Sequence, residues 1–133
     1  MGSLALDASV AIALFTDADA HHDRARSELD GALDRDDDLL MAASAYSEIM
    51  VHAVRSGQGE MVDRFVDRLQ MEIVPTDRGI GRRAAELRAE WRSLRLPDAL
   101  VMATAKARRA SLLSFDIELA RLARKLDVGS AQS

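Results

Sequence analysis

Along the chain, short runs that are apolar throughout alternate with longer stretches in which apolar residues return about every three to four positions. Leu4 to Leu6 is the first such run. It stops at Asp7 and is followed by Ser9-Val10-Ala11-Ile12-Ala13-Leu14-Phe15, apolar on nearly every side, so the pattern reads as a buried strand and then a buried helix. From Asp19 to about Leu33, the residues Ala25, Leu29 and Ala32 recur at helical spacing among charged neighbours, an amphipathic helix capped by the loop acids. The acidic turn Asp34-Arg35-Asp36-Asp37-Asp38 leads into a second strand, Leu39-Leu40-Met41. Ser44 is then the expected N-cap of a helix that stops near Gly57.

Gly59 to Gln70 carries Met61, Val62, Phe65, Val66 and Leu69 on one face, and Glu72-Ile73-Val74 is a short strand ended by Pro75. Thr76 and Asp77 open another helix, with Ile80, Ala84, Leu87 and Trp91 as its buried stripe. Pro97 starts the next, where its missing N–H and fixed φ suit the first helical position, and that helix runs to about Arg109. Ser111-Leu112-Leu113-Ser114 is the last clear strand, and Asp116 to Leu126 a closing helix with Leu119, Leu122, Ala123 and Leu126 inward. Strands alternating with helices predict an α/β fold, a three-layer α/β/α sandwich around a short, mainly parallel central sheet. With 133 residues, no internal repeat and no linker, residues 1–133 are expected to form one domain. Residues 129–133 are small and polar and are expected to fray, while residues 1–3 could be a remnant of an expression vector.

Composition narrows the function classes. The chain is 48% hydrophobic and 30% charged and has no run approaching the roughly 18 apolar residues of a membrane span, which argues against a membrane role. Its start lacks the basic region and long apolar stretch of a secretory signal, so a cytoplasmic location is expected. The absence of cysteine removes disulfides, thiolate nucleophiles and cysteine-ligated zinc or iron–sulfur centres. Any metal must therefore use oxygen or imidazole ligands. A net charge of −4 does not attract nucleic acid as a basic domain would, unless the acids gather around cations that locally reverse the field.

In open α/β sheets ligands bind beyond the carboxyl ends of the strands, so acids placed there carry weight. Asp7 follows the first strand and Asp116 the last, and both should leave the same edge of a parallel sheet. Asp98, just behind Pro97, lies in a first helical turn where free N–H groups and the helix dipole favour the ionised form. Glu48 sits one turn into the helix begun at Ser44, beside Ile49 and Val51 to Val54, which suggest a largely buried surface. A carboxylate there needs a cation or an arginine such as Arg55. Four converging carboxylates would repel unless divalent cations sat between them, and oxygen-only ligation suits Mg²⁺ or Mn²⁺ better than zinc.

Each acid alone has a plainer reading: Asp7 and Asp116 as helix caps, Asp98 as an ordinary first-turn acid, Glu48 as an arginine's partner. Asp36-Asp37-Asp38 reads as a solvated loop rather than a metal site, since adjacent side chains diverge. His21, His22 and His52 lack zinc-like spacing, and Met61, Phe65 and Leu69 read as core. Gly57, Gly59, Gly79 and Gly81 form no phosphate-cradling loop, so no nucleotide cofactor is indicated. Arg78, Arg82, Arg83, Arg92 and Arg95 are candidate phosphate contacts, with solvated faces as the competing reading.

Taken in order, these motifs resemble the PIN-domain ribonucleases, and within them the VapC toxins of bacterial toxin–antitoxin pairs. Leu6-Asp7-Ala8-Ser9-Val10 resembles the opening Asp-x-Ser/Thr motif, and Ser47-Glu48-Ile49 the helical glutamate. Leu94 to Ala105 is very similar to the third motif, and Leu113-Ser114-Phe115-Asp116 to the fourth. The fourth usually reads Thr-x-Asp, and the aromatic that commonly follows it is replaced nearby by Leu119. His21-His22 ahead of an Ala-containing helix also recurs in such toxins.

The resemblance implies hydrolysis of RNA to 5′-phosphate and 3′-hydroxyl ends by one or two Mg²⁺ or Mn²⁺ ions held on Asp7, Glu48, Asp98 and Asp116, with the hydroxyls of Ser9 and Ser114 behind them. It also implies a cognate antitoxin, whose C-terminal segment crosses the acidic site, and a homodimer. Two other readings stay open: a PIN-fold binding module with little activity, and a phosphoryl-transfer protein with Asp7 as nucleophile. Against the second, aspartyl phosphatases usually carry another acid where Ser9 stands, and receivers need a well-placed lysine, while only Lys106 and Lys125 exist here.

Overall fold

Four parallel strands lie in the order β3-β2-β1-β4, in a computed structural model that describes residues 2–126. They are β1 (Ser3–Leu6), β2 (Asp38–Ala42), β3 (Glu72–Val74) and β4 (Ser111–Leu113). Ala5 pairs with Leu40 on one side and Leu112 on the other, and Ala42 pairs with Val74, so the strand ends fall along one edge. Consecutive strand residues point to opposite faces. Leu4, Ala5 and Leu6 are all buried, so both faces of the sheet are covered, as the unbroken apolar runs predict.

The covering helices are α1 (Ala8–Phe15), α2 (His22–Asp34), α3 (Ala43–Arg55), α4 (Gly59–Arg68), α5 (Arg78–Glu90), α6 (Leu96–Ala107) and α7 (Ile117–Lys125). The α/β class and the parallel sheet are as the alternation predicts. Among the described residues, no helix is long and apolar enough to cross a membrane.

Helix ends follow from side-chain chemistry. Asp7, Asp77 and Asp116 cap α1, α5 and α7 by accepting N–H groups of the first turn, and Pro97 sits in the first turn of α6, where no N–H is needed. At their C-termini, α2, α3, α4 and α6 end alike. Asp36, Gly57, Gln70 and Arg109 adopt φ of 57°, 73°, 52° and 52°. Their N–H groups bond back to Leu33, Val54, Asp67 and Lys106, and the next N–H bonds to Ala32, Ala53, Val66 and Ala105. This double closure turns the chain sharply, and after α2, α4 and α6 it launches the next strand. Only one of the four turns uses glycine.

Several expectations are corrected. Ser44 is not an N-cap: β2 runs directly into α3 with Ala42 at the cap, and the Ser44 hydroxyl is buried without a partner among the described residues. Val51 and Val54 do not face the core. The inward stripe of α3 is Ala45, Ile49 and Ala53, four residues apart, which leaves Val51 and Val54 exposed. Met61 is exposed as well, while Val62 is buried and Phe65, Val66 and Leu69 pack half-buried against the core. Helix α2 starts at His22, Asp19 instead accepting the His21 N–H in the preceding turn. Beside these corrections, Ser3 opens β1 and the Gly2 carbonyl accepts the Asp38 N–H at 2.8 Å, which does not bear on the origin of these residues. The expected fraying of 129–133 lies outside the described residues.

Candidate active site

Asp7 stands where β1 ends, its N–H held by the Leu113 carbonyl at 3.0 Å, and it is only 7% exposed. Both oxygens of its carboxylate accept hydrogen bonds. Oδ1 accepts the Ala8 N–H at 2.6 Å, and Oδ2 accepts the Ser114 hydroxyl at 2.7 Å and the Ser9 hydroxyl at 3.2 Å. The serines then reach across to the β4–α7 loop: Ser9 Oγ accepts the Phe115 N–H at 3.3 Å and Ser114 Oγ the Asp116 N–H at 3.1 Å. Two hydroxyls, each donating to Asp7 and accepting from the loop, thus fix Asp7 and Asp116 relative to each other. The Phe115 ring is held in turn by His21, stacked at 4.7 Å, and by Arg24, whose guanidinium lies 5.2 Å from the ring centre.

Asp116 is exposed and caps α7, its Oδ1 accepting the N–H groups of Glu118 and Leu119 at 3.0 and 3.2 Å. Asp98 is partly buried in the first turn of α6, with one oxygen 3.6 Å from Arg95 Nε. Glu48 departs from expectation: it is exposed rather than enclosed by apolar side chains, and among the described residues no ion pair links it to Arg55.

The electrostatics bring the four acids into one neighbourhood. Desolvation pushes the Asp98 carboxyl above the usual range, Asp7 pushes it further, Arg95 opposes, and Asp116 adds a smaller upward push. Glu48 is raised by desolvation, then by Asp7 and Asp98, again against Arg95. The cation opposing Glu48 is therefore Arg95 rather than Arg55.

These acids do not form a ready-made cage, and among the described residues no three acid or histidine side chains converge tightly enough to enclose an ion. The reason is local. Asp7 and Asp116 are turned to cap helices, and Asp98 leans toward Arg95. The donor set nevertheless fits a hard divalent cation: all its atoms are carboxylate oxygens, Asp116 has one oxygen without a hydrogen bond among the described residues, and the mutual repulsion of the acids is the kind that a cation relieves. Asp36-Asp37-Asp38 plays a structural part, with Asp37 accepting the Gly2 N–H and pairing with Arg35 at 3.1 Å. Arg82 and Arg83 face Glu86 at 3.7 and 3.8 Å, the surface pairing that competed with phosphate contact.

The sequence reading missed a cleft of about 400 Å³ beside Asp98 and Asp116, bordered by Trp91, Arg95, Arg121 and Lys125. Arg121 and Lys125 lie four apart on α7, a spacing that places them on one helix face. That was the available signal.

The profile of the PIN domain matches residues 4–125. The chain belongs to the PIN domain family. Members of that family are generally nucleases. Three solved structures share the fold. A toxin–antitoxin complex from Klebsiella pneumoniae contains a chain 26% identical, with 84% of this chain and 85% of that one covered and a TM-score of 0.67. The crystal structure of FitAcB from Neisseria gonorrhoeae matches at 17% identity over 96% and 95% of the two chains, with a TM-score of 0.74. VapBC2 from Rickettsia felis, bound to a DNA fragment from its promoter, matches at 17% identity over 89% and 90%, with a TM-score of 0.70. No curated protein sequence matches the chain.

Proposed function

We propose that this PIN domain is a divalent-metal-dependent endoribonuclease, the toxin of a toxin–antitoxin pair, with residues 1–133 acting as one unit in the cytoplasm. The observation that carries the reading is the upward push on the Asp98 and Glu48 carboxyls at one end of a parallel sheet, from desolvation first and then from the neighbouring acid charges, Asp7 acting on both and Asp116 on Asp98. Acids kept in such a relation, at a cost to the fold, point to a site that takes a cation. Mg²⁺ or Mn²⁺ held by these four residues would supply the positive charge that activates water and offsets the negative charge building on the phosphoryl group.

The remaining work falls to the chain. Asp7, fixed by Ser9 and Ser114, is the rigid ligand, whereas Asp98 and Glu48 are the adjustable ones. Arg95, 75% exposed on its side chain, is free to leave Asp98 and meet a backbone phosphate when a cation takes its place. An antitoxin segment offering an arginine would satisfy the same acids without metal, and the toxin–antitoxin assemblies among similar structures favour such a partner for a homodimeric toxin. A nucleophilic Asp7 is disfavoured, since both its oxygens accept hydrogen bonds and it is almost closed to solvent.

The test is incubation of the protein with total cellular RNA in Mg²⁺ or Mn²⁺, with a chelator and Asp98→Asn as controls, followed by sequencing of the 5′-phosphate ends. Fragments with 5′-phosphate and 3′-hydroxyl termini, absent from both controls, are expected. Cleavage that survives chelation, or that leaves 2′,3′-cyclic phosphates, overturns the reading.

A further inference from the structure

The cleft beside the acids has a composition that the carboxylate site does not explain. Asp98, Asp116 and Glu118 line its acidic side, while Arg95, Arg121 and Lys125 bring three cations to the rest of its wall, in a chain whose net charge is −4. Trp91, at the C-terminus of α5, lines it too. The ring of Trp91 is half-buried with Lys125 Nζ 5.6 Å from its centre. Its indole N–H is buried and, among the described residues, has no acceptor. With no surface of its own that N–H is out of reach of a ligand in the cleft, so what Trp91 offers there is the carbon surface of its ring.

We propose that this cleft is a subsite for one nucleotide of single-stranded RNA next to the scissile phosphate, its base lying against the Trp91 ring and its outer phosphate resting on Arg121 and Lys125. This rests on the nuclease reading for the position of the scissile phosphate, at the Asp98–Asp116 end. The volume of about 400 Å³ is in the range of small-ligand sites and admits a nucleotide. The strand must be single because a base can enter only when it is unstacked and unpaired. The division of labour follows from the chemistry. Arg121 and Lys125 read charge alone, whereas the Trp91 ring ranks bases by how well they stack on it. With a net charge of −4 and three acids in the cleft, the attraction for phosphate is local to Arg121 and Lys125, four apart on α7.

Trp91 is the single tryptophan of the chain, so its emission reports the cleft directly. The protein in chelator, where cleavage is blocked, is titrated with RNA hexamers of A, C, G and U, their 2′-deoxy counterparts, and an A·U duplex. A saturable change in emission with at least one single-stranded RNA hexamer is expected, with the four bases binding unequally and the duplex leaving emission unchanged. In Arg121→Ala/Lys125→Ala, both exposed positions, labelled hexamers should bind about tenfold or more weakly with the same base order, and the logarithmic salt slope should fall by about 0.7 per lost cation. In Trp91→Leu, followed by fluorescence anisotropy, binding should weaken and the base order should flatten, because the stacking surface is gone.

Emission unmoved by every hexamer, or unchanged affinity and salt slope in the double variant, overturns the subsite. Equal binding of the deoxy hexamers removes the RNA preference and overturns that part. If the wild type cleaves RNA with Mn²⁺ and the double variant cleaves equally well with the same base preference, the subsite fails while the nuclease stands. Hexamer binding through Trp91 in a protein that cleaves nothing gives the opposite result.

Discussion

Replacing Ser114 by alanine tests the frame that holds the candidate ligands. The residue is fully buried, donates to Asp7 Oδ2 at 2.7 Å and accepts the Asp116 N–H at 3.1 Å. Alanine removes only the hydroxyl, so the cavity it leaves is small. The cost is that of two stranded groups: a hydrogen bond to a buried carboxylate is worth about 1.5–3 kcal/mol, and an N–H losing its acceptor in a part-buried place about 1 kcal/mol. The Ser9 hydroxyl, at 3.2 Å, still serves Oδ2 and lowers the total to about 2–3 kcal/mol. For 133 residues an unfolding entropy near 0.28 kcal/mol/K makes each kcal/mol worth about 3.6 °C, so the midpoint should fall by about 7–11 °C. Thermal denaturation followed by circular dichroism in chelator, with a calorimetric two-state check, measures this. Ser114→Thr keeps the hydroxyl, so it separates loss of the bond from general intolerance of change: it should lose less, although its methyl group must find space. A midpoint for Ser114→Ala within about 2 °C of wild type would refute the claim that this hydroxyl bridges the two strand ends.

Asp98→Asn should make the metal-free protein more stable at neutral pH, because the carboxyl is desolvated, and also repelled by Asp7 and Asp116, when ionised, and Arg95, being exposed, returns little. The sign follows from proton binding. A folded pKa above the unfolded value means the folded state holds the proton more tightly, so this acid's penalty is absent below its ordinary value of 3.8 and grows as pH rises through the raised folded value. The advantage of Asp98→Asn in melting temperature should therefore shrink on acidification to about pH 4, and an advantage independent of pH contradicts the cause assigned to the shift. Mn²⁺ at about a hundred times its dissociation constant should raise the wild-type midpoint by about 10 °C, equivalent to roughly 2.7 kcal/mol, with little effect on Asp98→Asn, and equal shifts in both would remove Asp98 from the ligand set. Gln70→Gly and Arg109→Gly relieve left-handed backbone at φ 52° on exposed residues. Each should stabilise by about 0.5–1 kcal/mol in chemical denaturation, the relief of about 1–2 kcal/mol being offset by glycine's greater unfolded freedom, and destabilisation by either would show that the side chain matters more than the turn.

The strands and most helices were legible because their signals are local. An apolar run stopped by Asp7 or Pro75, and caps at Asp77 and Asp116, need only neighbours in sequence. Failures came where a position depends on contacts made elsewhere. Ser44 carries the chemistry of an N-cap, but β2 passes into α3 without a loop, so the cap falls on Ala42. Val51 and Val54 are apolar yet lie off the four-residue stripe that the sheet selects. Glu48 appeared enclosed for the same mistaken reason. The cleft had no local signature, since Trp91 comes from the end of α5, Arg95 from the start of α6, and Arg121 and Lys125 from α7.

For the acids, the plainer reading and the functional one turn out to describe the same atoms. Asp7 and Asp116 are helix caps, as each would be in isolation, and the capping places them at the edge where their charges act on Asp98. A cap engages N–H groups that point out of the helix end, which orients the carboxylate and leaves lone pairs unused. The fold thereby positions negative charge through bonds it needs anyway, and only Asp98 and Glu48 are left with their charges poorly compensated. That division assigns the rigid half of the candidate site to the strand ends and the adjustable half to α3 and α6, where a cation, or an arginine standing in for one, would alter the balance with Arg95 while the caps stay in place.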